Sequence, residues 1–435
     1  MFRLNKNTVL ILGGGIAGIQ SSIDLANMGK KVFLVEEKPS IGGAMARLDK
    51  TFPTNDCAMC ILAPKMIECA NHDNITLLTY SKLIELTGHS GDFKAKILKK
   101  ARYVDSDKCV GCGVCAEKCP TKVEDSFNAG LGTRKAIYKY FPQAVPSTFV
   151  IDPDHCRVLN GKKCGVCEKF CKAKAINFKQ KDEEITIEVG AVIMATGLDL
   201  YGVSALKEYG WGTIKNVLTA MQFERMICAS GPTQGHLKKP SDGEEPKNLA
   251  FIQCVGSRDV RHKRYCSAVC CMHATKEAML AHEHVPKLTS TIFYMDMRAV
   301  GKGFQDYIQR AHDEYAVEYI RSRPGQITVN EETGNPVIHF EDTTTRELKT
   351  REFDMVILAQ ALIPSGTNTE TADNMGVKMD EFGFVGAPSE PLDPFATNRE
   401  GIFACGFCQG PMDVPGSVVR ASGAASRVAE SLALL

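Results

Sequence analysis

The chain has 435 residues, 24% of them charged, and a formal net charge of +1. That length suits two or three domains with ample core, and the balanced charge gives no overall field for nucleic acid or anionic lipid. No apolar run approaches the ~20 residues that span a bilayer, and the opening MFRLNKNTVLILGGG leads straight into glycines without a cleavage site, unlike a signal peptide. Eighteen cysteines without an export signal point to a reducing, cytoplasmic setting with thiols on metal rather than in disulfides.

Thr8–Leu12 reads as a strand, followed by Gly13-Gly14-Gly15-Ile16-Ala17-Gly18, an amphipathic helix over 19–28 and a second strand over 31–35 that ends at Glu36. This is a dinucleotide-binding unit. Gly13 makes the tight turn, Gly15 lets the backbone approach a pyrophosphate, and Gly18 permits helix–strand packing. The diphosphate is expected at this helix's N-terminus, beside Ile16 and Ala17 of the loop, where free N–H groups favour negative charge. Glu36 stands where a carboxylate accepts from ribose hydroxyls.

Three further segments favour FAD over NAD. Glu37-Lys38-Pro39-Ser40-Ile41-Gly42-Gly43 with Arg47 resembles the segment that wraps the flavin in flavoproteins with two dinucleotide domains. The run ending Ala195-Thr196-Gly197 resembles the strand at which their chain leaves the FAD domain, and the run ending in Gly406 resembles their final FAD strand. An Asp that holds the ribitol chain normally follows this glycine; Phe407 stands here instead. The helix starting near Ser417 is expected to aim its N-terminus at the flavin ring.

Cys57 and Cys60 form C-x2-C just after the flavin-wrapping segment. Part of a further cluster, completed by Cys69 or by a partner subunit, is the leading expectation. A redox disulfide and inert thiols stay open.

Cys109, Cys112, Cys115 and Cys119, with Pro120 following, give C-x2-C-x2-C-x3-C-P, and Cys156, Cys164, Cys167 and Cys171 repeat it with a stretched first gap. Each run of this type lends its fourth cysteine to the other [4Fe-4S] cluster. Cys109, Cys112 and Cys115 are therefore expected to join Cys171, and Cys156, Cys164 and Cys167 to join Cys119. Two zinc sites could use as many cysteines, but the spacing and the proline favour iron–sulfur.

A third constellation comes after the strand-like run 248–253. Where a second glycine loop belongs, the chain reads Cys254-Val255-Gly256-Ser257, then Cys266, Cys270 and Cys271. NADH binding is expected to be lost there, and the four cysteines could ligate another [4Fe-4S] cluster.

TFPTNDCAMCILAPKM, the cysteine tetrad, FYMDMRAVGKG and ACGFCQGPMDVPGSV together resemble the A subunit of heterodisulfide reductase and its relatives. The resemblance implies an α/β, thioredoxin-reductase-like flavoprotein with an inserted α+β ferredoxin domain. It assigns 1–104, 179–225 and 370–435 to the FAD-binding domain, 105–178 to the ferredoxin domain, and 226–369 to an NAD(P)H-domain-like region. In that family the tetrad carries a non-standard cluster. Methanogen members add an N-terminal domain and a C-terminal ferredoxin domain; a chain that runs from its first FAD strand to Leu435 is expected to have neither. Bifurcating members carry a lysine where Leu392 aligns, which puts flavin-based electron bifurcation in doubt.

The expected function is an electron-transfer subunit that splits two-electron flavin chemistry into one-electron cluster steps. Its partners would be other iron–sulfur or flavin redox subunits or ferredoxin, with a homodimer inside the complex and no nucleic acid. The alternative is a self-contained flavin-dependent NAD(P)H or disulfide reductase.

Overall fold

The computed structural model describes residues 5–435; residues 1–4, the expected head of the FAD-binding domain, lie outside the described residues. Two five-stranded sheets organise the chain. The first runs in space Ile402–Ala404, Ala191–Met194, Thr8–Leu12, Lys31–Glu36 and Ile75–Thr79, with every pair parallel. Its central strands are continuous apolar runs because both faces are covered, one by helices and the other by the antiparallel strands over 81–99 and 183–189: Val9, Leu10 and Ile11 have no solvent exposure. The helix over Ile16–Asn27 starts directly at the glycine loop, three residues before the sequence placed it, and packs with the C-terminal helix Val414–Leu434.

The second sheet repeats the plan: Val217–Thr219, Met355–Gln360, Asn248–Val255, Thr289–Tyr294 and Val317–Arg321, again all parallel. Each parallel sheet is accompanied by a three-stranded antiparallel one, over 81–99 with Glu183–Val189 in the first half and over 326–352 in the second. The connecting strands Leu198–Leu200 and Leu362–Pro364 pair with each other, so the chain leaves and re-enters the first half side by side. Residues 217–227, whose larger part the sequence assigned to the FAD-binding domain, belong instead to the second sheet and its core. The strand pairs with Val356, Ile357 and Leu358, and Phe223, Met226 and Ile227 pack with Phe251 and Met279.

The cysteine-rich insertion emerges between two paired strands. Lys99 and Glu183 are register partners, so the inserted segment begins and ends at one place on the antiparallel sheet. Inside it two short helices, Val114–Lys118 and Val166–Phe170, each follow a left-handed glycine, Gly113 and Gly165. Its aromatic stretch folds back over the flavin-type segment: Phe127 stacks on Phe141, and Ile41 bridges to Val145.

A buried ionic network joins the two halves. Lys276, on the helix Cys270–His284, places its Nζ 2.7 and 2.6 Å from the two oxygens of Glu224, and neither side chain reaches solvent. Lys276 also donates to the Lys50 carbonyl, and Glu224 accepts from the Asp49 N–H, which pins the segment after Arg47. Burial pushes the Glu224 carboxyl up, yet Lys276 and His273 together hold it below its ordinary value. Breaking such a pair leaves an uncompensated charge. Lys276→Met should cost about 3–5 kcal/mol of stability, read as a fall in thermal midpoint. Adding Glu224→Leu should recover much of that loss, and equal losses in the single and double variants would refute the assignment.

Candidate functional site

The predicted nucleotide loop is brought together around close backbone contacts. Gly13 has φ +104, and a Cβ added to it would lie 2.3 Å from the Ala195 carbonyl oxygen. A Cβ on Gly18 would lie 1.8 Å from the Gly13 oxygen, so the helix seats against the strand only with hydrogen there. Gly15 differs. Its φ is −76, and an added Cβ would meet only the Gly43 Cα, at 3.9 Å. The cradle is thus open on the side of the missing Gly15 Cβ and closed at Gly43, whose own Cβ would come 2.7 Å from the Gly15 Cα; an open flank at the helix N-terminus formed by Ile16 and Ala17 suits a pyrophosphate.

Glu36 lies across this loop. Its carboxylate accepts from the N–H groups of Gly14 at 2.6 Å and Lys38 at 2.7 Å, while burial holds its pKa above the ordinary value. Glu37 is likewise pushed up by burial. Arg47 turns away from the loop: its Nε donates to the Phe127 carbonyl of the insertion, and burial lowers its pKa. Gly197 is left-handed at φ +74, and Thr196 donates to Asn368. Gly406, also at φ +74, packs on Ala17 so tightly that an added Cβ would come 2.8 Å from it. The Ser417 hydroxyl is spent within its own helix, on the Asp413 carbonyl at 2.9 Å. Asn368 was missed in the sequence. It is buried, and no local motif marks a polar residue supplied from the far end of the second half.

The ferredoxin-type cysteines assemble across the two runs. One cavity is lined by Cys119 together with Cys156, Cys164 and Cys167. That crossed set is what the spacing predicts for one of the two cubes. The other run gathers Cys109, Cys112 and Cys115, with Cys115 lying near Cys167 as well. The Cys171 sulfur accepts from the Ala175 N–H at 3.3 Å. Burial pushes the Cys115 thiol up to about 12 and the Cys167 thiol up to about 11.

At the second sheet, Cys254 ends its strand in a left-handed conformation, φ +60, and meets Cys270 and Cys271 at the start of the helix Cys270–His284. A hydrogen bond from Cys270, aided by Arg258, brings the Cys254 thiol down to about 6. Cys271 accepts from the Arg298 N–H at 3.5 Å. Cys266 sits half-exposed on the preceding loop, its sulfur bonded to the Ala268 N–H. Of the basic residues between these cysteines, Arg258 reaches the thiols and pairs with Asp296, while Arg261 pairs with Asp259. His273 faces Glu277 at 3.2 Å and Glu224 at 3.6 Å instead.

Cys57 and Cys60 are joined in a disulfide at the start of the helix Ala58–Asn71. The expectation of metal ligation is corrected to the disulfide alternative, because sulfurs bonded to each other are withdrawn from iron. Cys69, proposed as their companion, is fully buried and its thiol is pushed up to about 12 by burial. Cys405 and Cys408 are core thiols, both without solvent exposure.

Known proteins resemble this chain in sequence and in fold. A family described as FAD dependent oxidoreductase matches residues 8–55, and a 4Fe-4S binding domain matches residues 102–123. The iron-sulfur A subunit of CoB--CoM heterodisulfide reductase from Methanocaldococcus jannaschii is 48% identical over 98% of this chain and 64% of its own length. A counterpart from Methanopyrus kandleri, the second A-type iron-sulfur subunit of that name, is 49% identical, over 98% and 64%. This chain thus spans just under two thirds of the length of such relatives. Among solved structures, thioredoxin reductase from T. acidophilum superposes with a TM-score of 0.54 at 14% identity, over 97% of each chain. The Lactococcus lactis enzyme gives 0.53 at 15%, over 99% and 100%. At such identity they show the fold alone, thioredoxin-reductase-like, to which the 4Fe-4S domain is added. Over nearly its whole length, the chain is by sequence an iron–sulfur flavoprotein like the A subunits of heterodisulfide reductase.

Proposed function

We propose that this chain is the FAD- and [4Fe-4S]-bearing electron-transfer subunit of an oxidoreductase of heterodisulfide reductase type, partnered by other redox subunits. The observation that carries the reading is the cavity where Cys119 meets Cys156, Cys164 and Cys167. FAD supplies chemistry in electron pairs, and each [4Fe-4S] cluster carries one electron at a time. The loop 13–18 with Gly42 and Gly43 would hold the FAD pyrophosphate, and Glu36 the ribose. Cys109, Cys112, Cys115 and Cys171 would hold the second ferredoxin cube. Cys254, Cys266, Cys270 and Cys271 would hold a non-standard cluster, with Arg258 offsetting its negative charge. The proposed layout is an FAD-binding unit built on the first sheet, the insertion over 105–178, and the cluster-bearing second sheet. Bifurcation is left out of the reading: Leu392 is 87% exposed and places no cation near the nucleotide loop.

A second reading, a self-contained disulfide reductase, is favoured by the Cys57–Cys60 disulfide at a helix N-terminus. The two readings part on pyridine nucleotide. Cys254 occupies the turn where a second glycine loop would bind it, so NADH should leave the flavin of the isolated chain oxidised. Bleaching of the flavin by NADH would favour the second reading.

The purified chain should contain one FAD and about twelve irons, from three clusters. Cys270→Ala should lose about four irons and one cluster signal while keeping FAD and both ferredoxin-type signals. A wild-type content near four irons, or unchanged iron in Cys270→Ala, would refute the ligand sets. The glycines separate binding from folding. Gly15→Val should fold but lose FAD, because its side chain fills the cradle. Gly18→Ala should lose about 3 kcal/mol of stability from overpacking. Stoichiometric flavin in folded Gly15→Val would refute the placement.

A further inference from the structure

Arg102 is a buried cation that has no carboxylate partner among the described residues. It stands where the chain passes from the strand Asp92–Lys99 into the cysteine-rich insertion, and only 7% of it meets solvent. Its Nη2 donates to the Pro39 carbonyl at 2.8 Å and to the Thr79 hydroxyl, both in the flavin-type half. Its Nη1 is enclosed and has no hydrogen-bond partner. A guanidinium keeps its charge at any physiological pH, and an unpaired charge in a closed interior is costly. Such a side chain implies an anion that the polypeptide alone does not provide.

Three acidic groups act on the Arg102 charge: Tyr80, Tyr138 and Cys109. Burial pushes the Tyr80 phenol up to about 12 and raises that of Tyr138, so both are neutral near pH 7. Tyr80 meets the guanidinium with its ring, 5.8 Å from centroid to Cζ. That leaves Cys109, the first cysteine of the set with Cys112, Cys115 and Cys171. A [4Fe-4S] cube on four thiolates is anionic whether oxidised or reduced. The backbone ties Arg102 to the same core. Its carbonyl accepts from the Ile151 N–H at 3.0 Å, and Ile151 packs with Val104, Cys115 and Cys167. Arg102 is thus fixed to the cysteine-lined core by its backbone and to the flavin-type segment by its side chain.

We propose that Arg102 is the buried counter-cation of the iron–sulfur cluster held by Cys109, Cys112, Cys115 and Cys171, and that it raises that cluster's reduction potential. The proposal deepens the proposed function and rests on its assignment of this cysteine set. Arg102 acts as a positioning residue with a fixed charge. One electron enters the cluster from its donor, none is stored on the guanidinium, and no bond forms or breaks. A fixed positive charge favours the state with one more electron, and net charge is among the terms that set cluster potentials. The FAD diphosphate is the other anion expected in this half. It suits the open flank at Gly15, whereas Nη1 of Arg102 is closed off from solvent.

The test uses the full holo chain and redox titrations followed by electron paramagnetic resonance. Arg102→Gln removes the charge and keeps a donor toward Pro39 and Thr79, Arg102→Met removes both, and Arg102→Lys keeps the charge. In the two neutral variants one ferredoxin-type signal should move to lower potential, its reduced-to-oxidised ratio at the wild-type midpoint falling about tenfold. The signal that moves should be the one that Cys112→Ala abolishes. The other ferredoxin-type signal and the FAD content should stay as in the wild type, and the Lys variant should stay close to it. Loss of that one cluster alone from the neutral variants, with the Lys variant intact, would show the same dependence. Unmoved potentials in a folded neutral variant with full iron would overturn the proposal, as would equal shifts of both signals. So would loss of FAD with unmoved potentials, which would give the cation to the nucleotide, or loss of the whole fold in both neutral variants, which would give it to the scaffold. Wild-type iron content tests the cluster reading separately: a low content sinks that reading, while full iron with unmoved potentials sinks only this proposal.

Discussion

The contact between Lys276 and Glu224 constrains everything else, because this dry ion pair of the second half holds the backbone of the first at Asp49 and Lys50. Lys276 lies on the helix that begins with Cys270 and Cys271, and it reaches the backbone just after Arg47. Glu224 comes from the helix Ala220–Ile227 and holds the Asp49 N–H from the same segment. One ion pair thus fixes the flavin-type loop relative to the tetrad. Electron transfer depends on such fixed separations, and a buried pair of this kind keeps its geometry because either partner alone would be a stranded charge.

The insertion is held by a different device. Its ends leave from register partners Lys99 and Glu183, so a domain can be added without disturbing the sheet that carries it. It is then anchored on the flavin-type segment by Phe127, Phe141 and Val145. The cysteine cavity and the nucleotide cradle are consequently parts of one packed body. Arg47 is the hinge of that packing, bonded to the insertion and contacted in turn by Arg225 from the second half.

On the proposed reading, the tetrad would convert a nucleotide loop to metal chemistry. A parallel strand, a turn and a helix N-terminus remain, but the turn holds Cys254 at positive φ and the helix opens with two cysteines. The same N–H groups and dipole that favour a phosphate also favour thiolate charge at that spot. Arg258 adds to that field from within the loop.

Features coded by short spacing were legible in the sequence: the glycine loop with its flanking strands, the two ferredoxin runs and the displaced second fingerprint. Each depends on neighbours a few residues apart, where backbone geometry ties residue order to position. Three things were decided by the tertiary structure. The strand Val217–Thr219 joined the second sheet, because a three-residue apolar run fits either sheet until its partners are known. Cys57 and Cys60 came together as a disulfide, since C-x2-C spacing serves metal and disulfide alike. Lys276 and Glu224 became a buried pair across 52 residues of sequence, which no local pattern encodes.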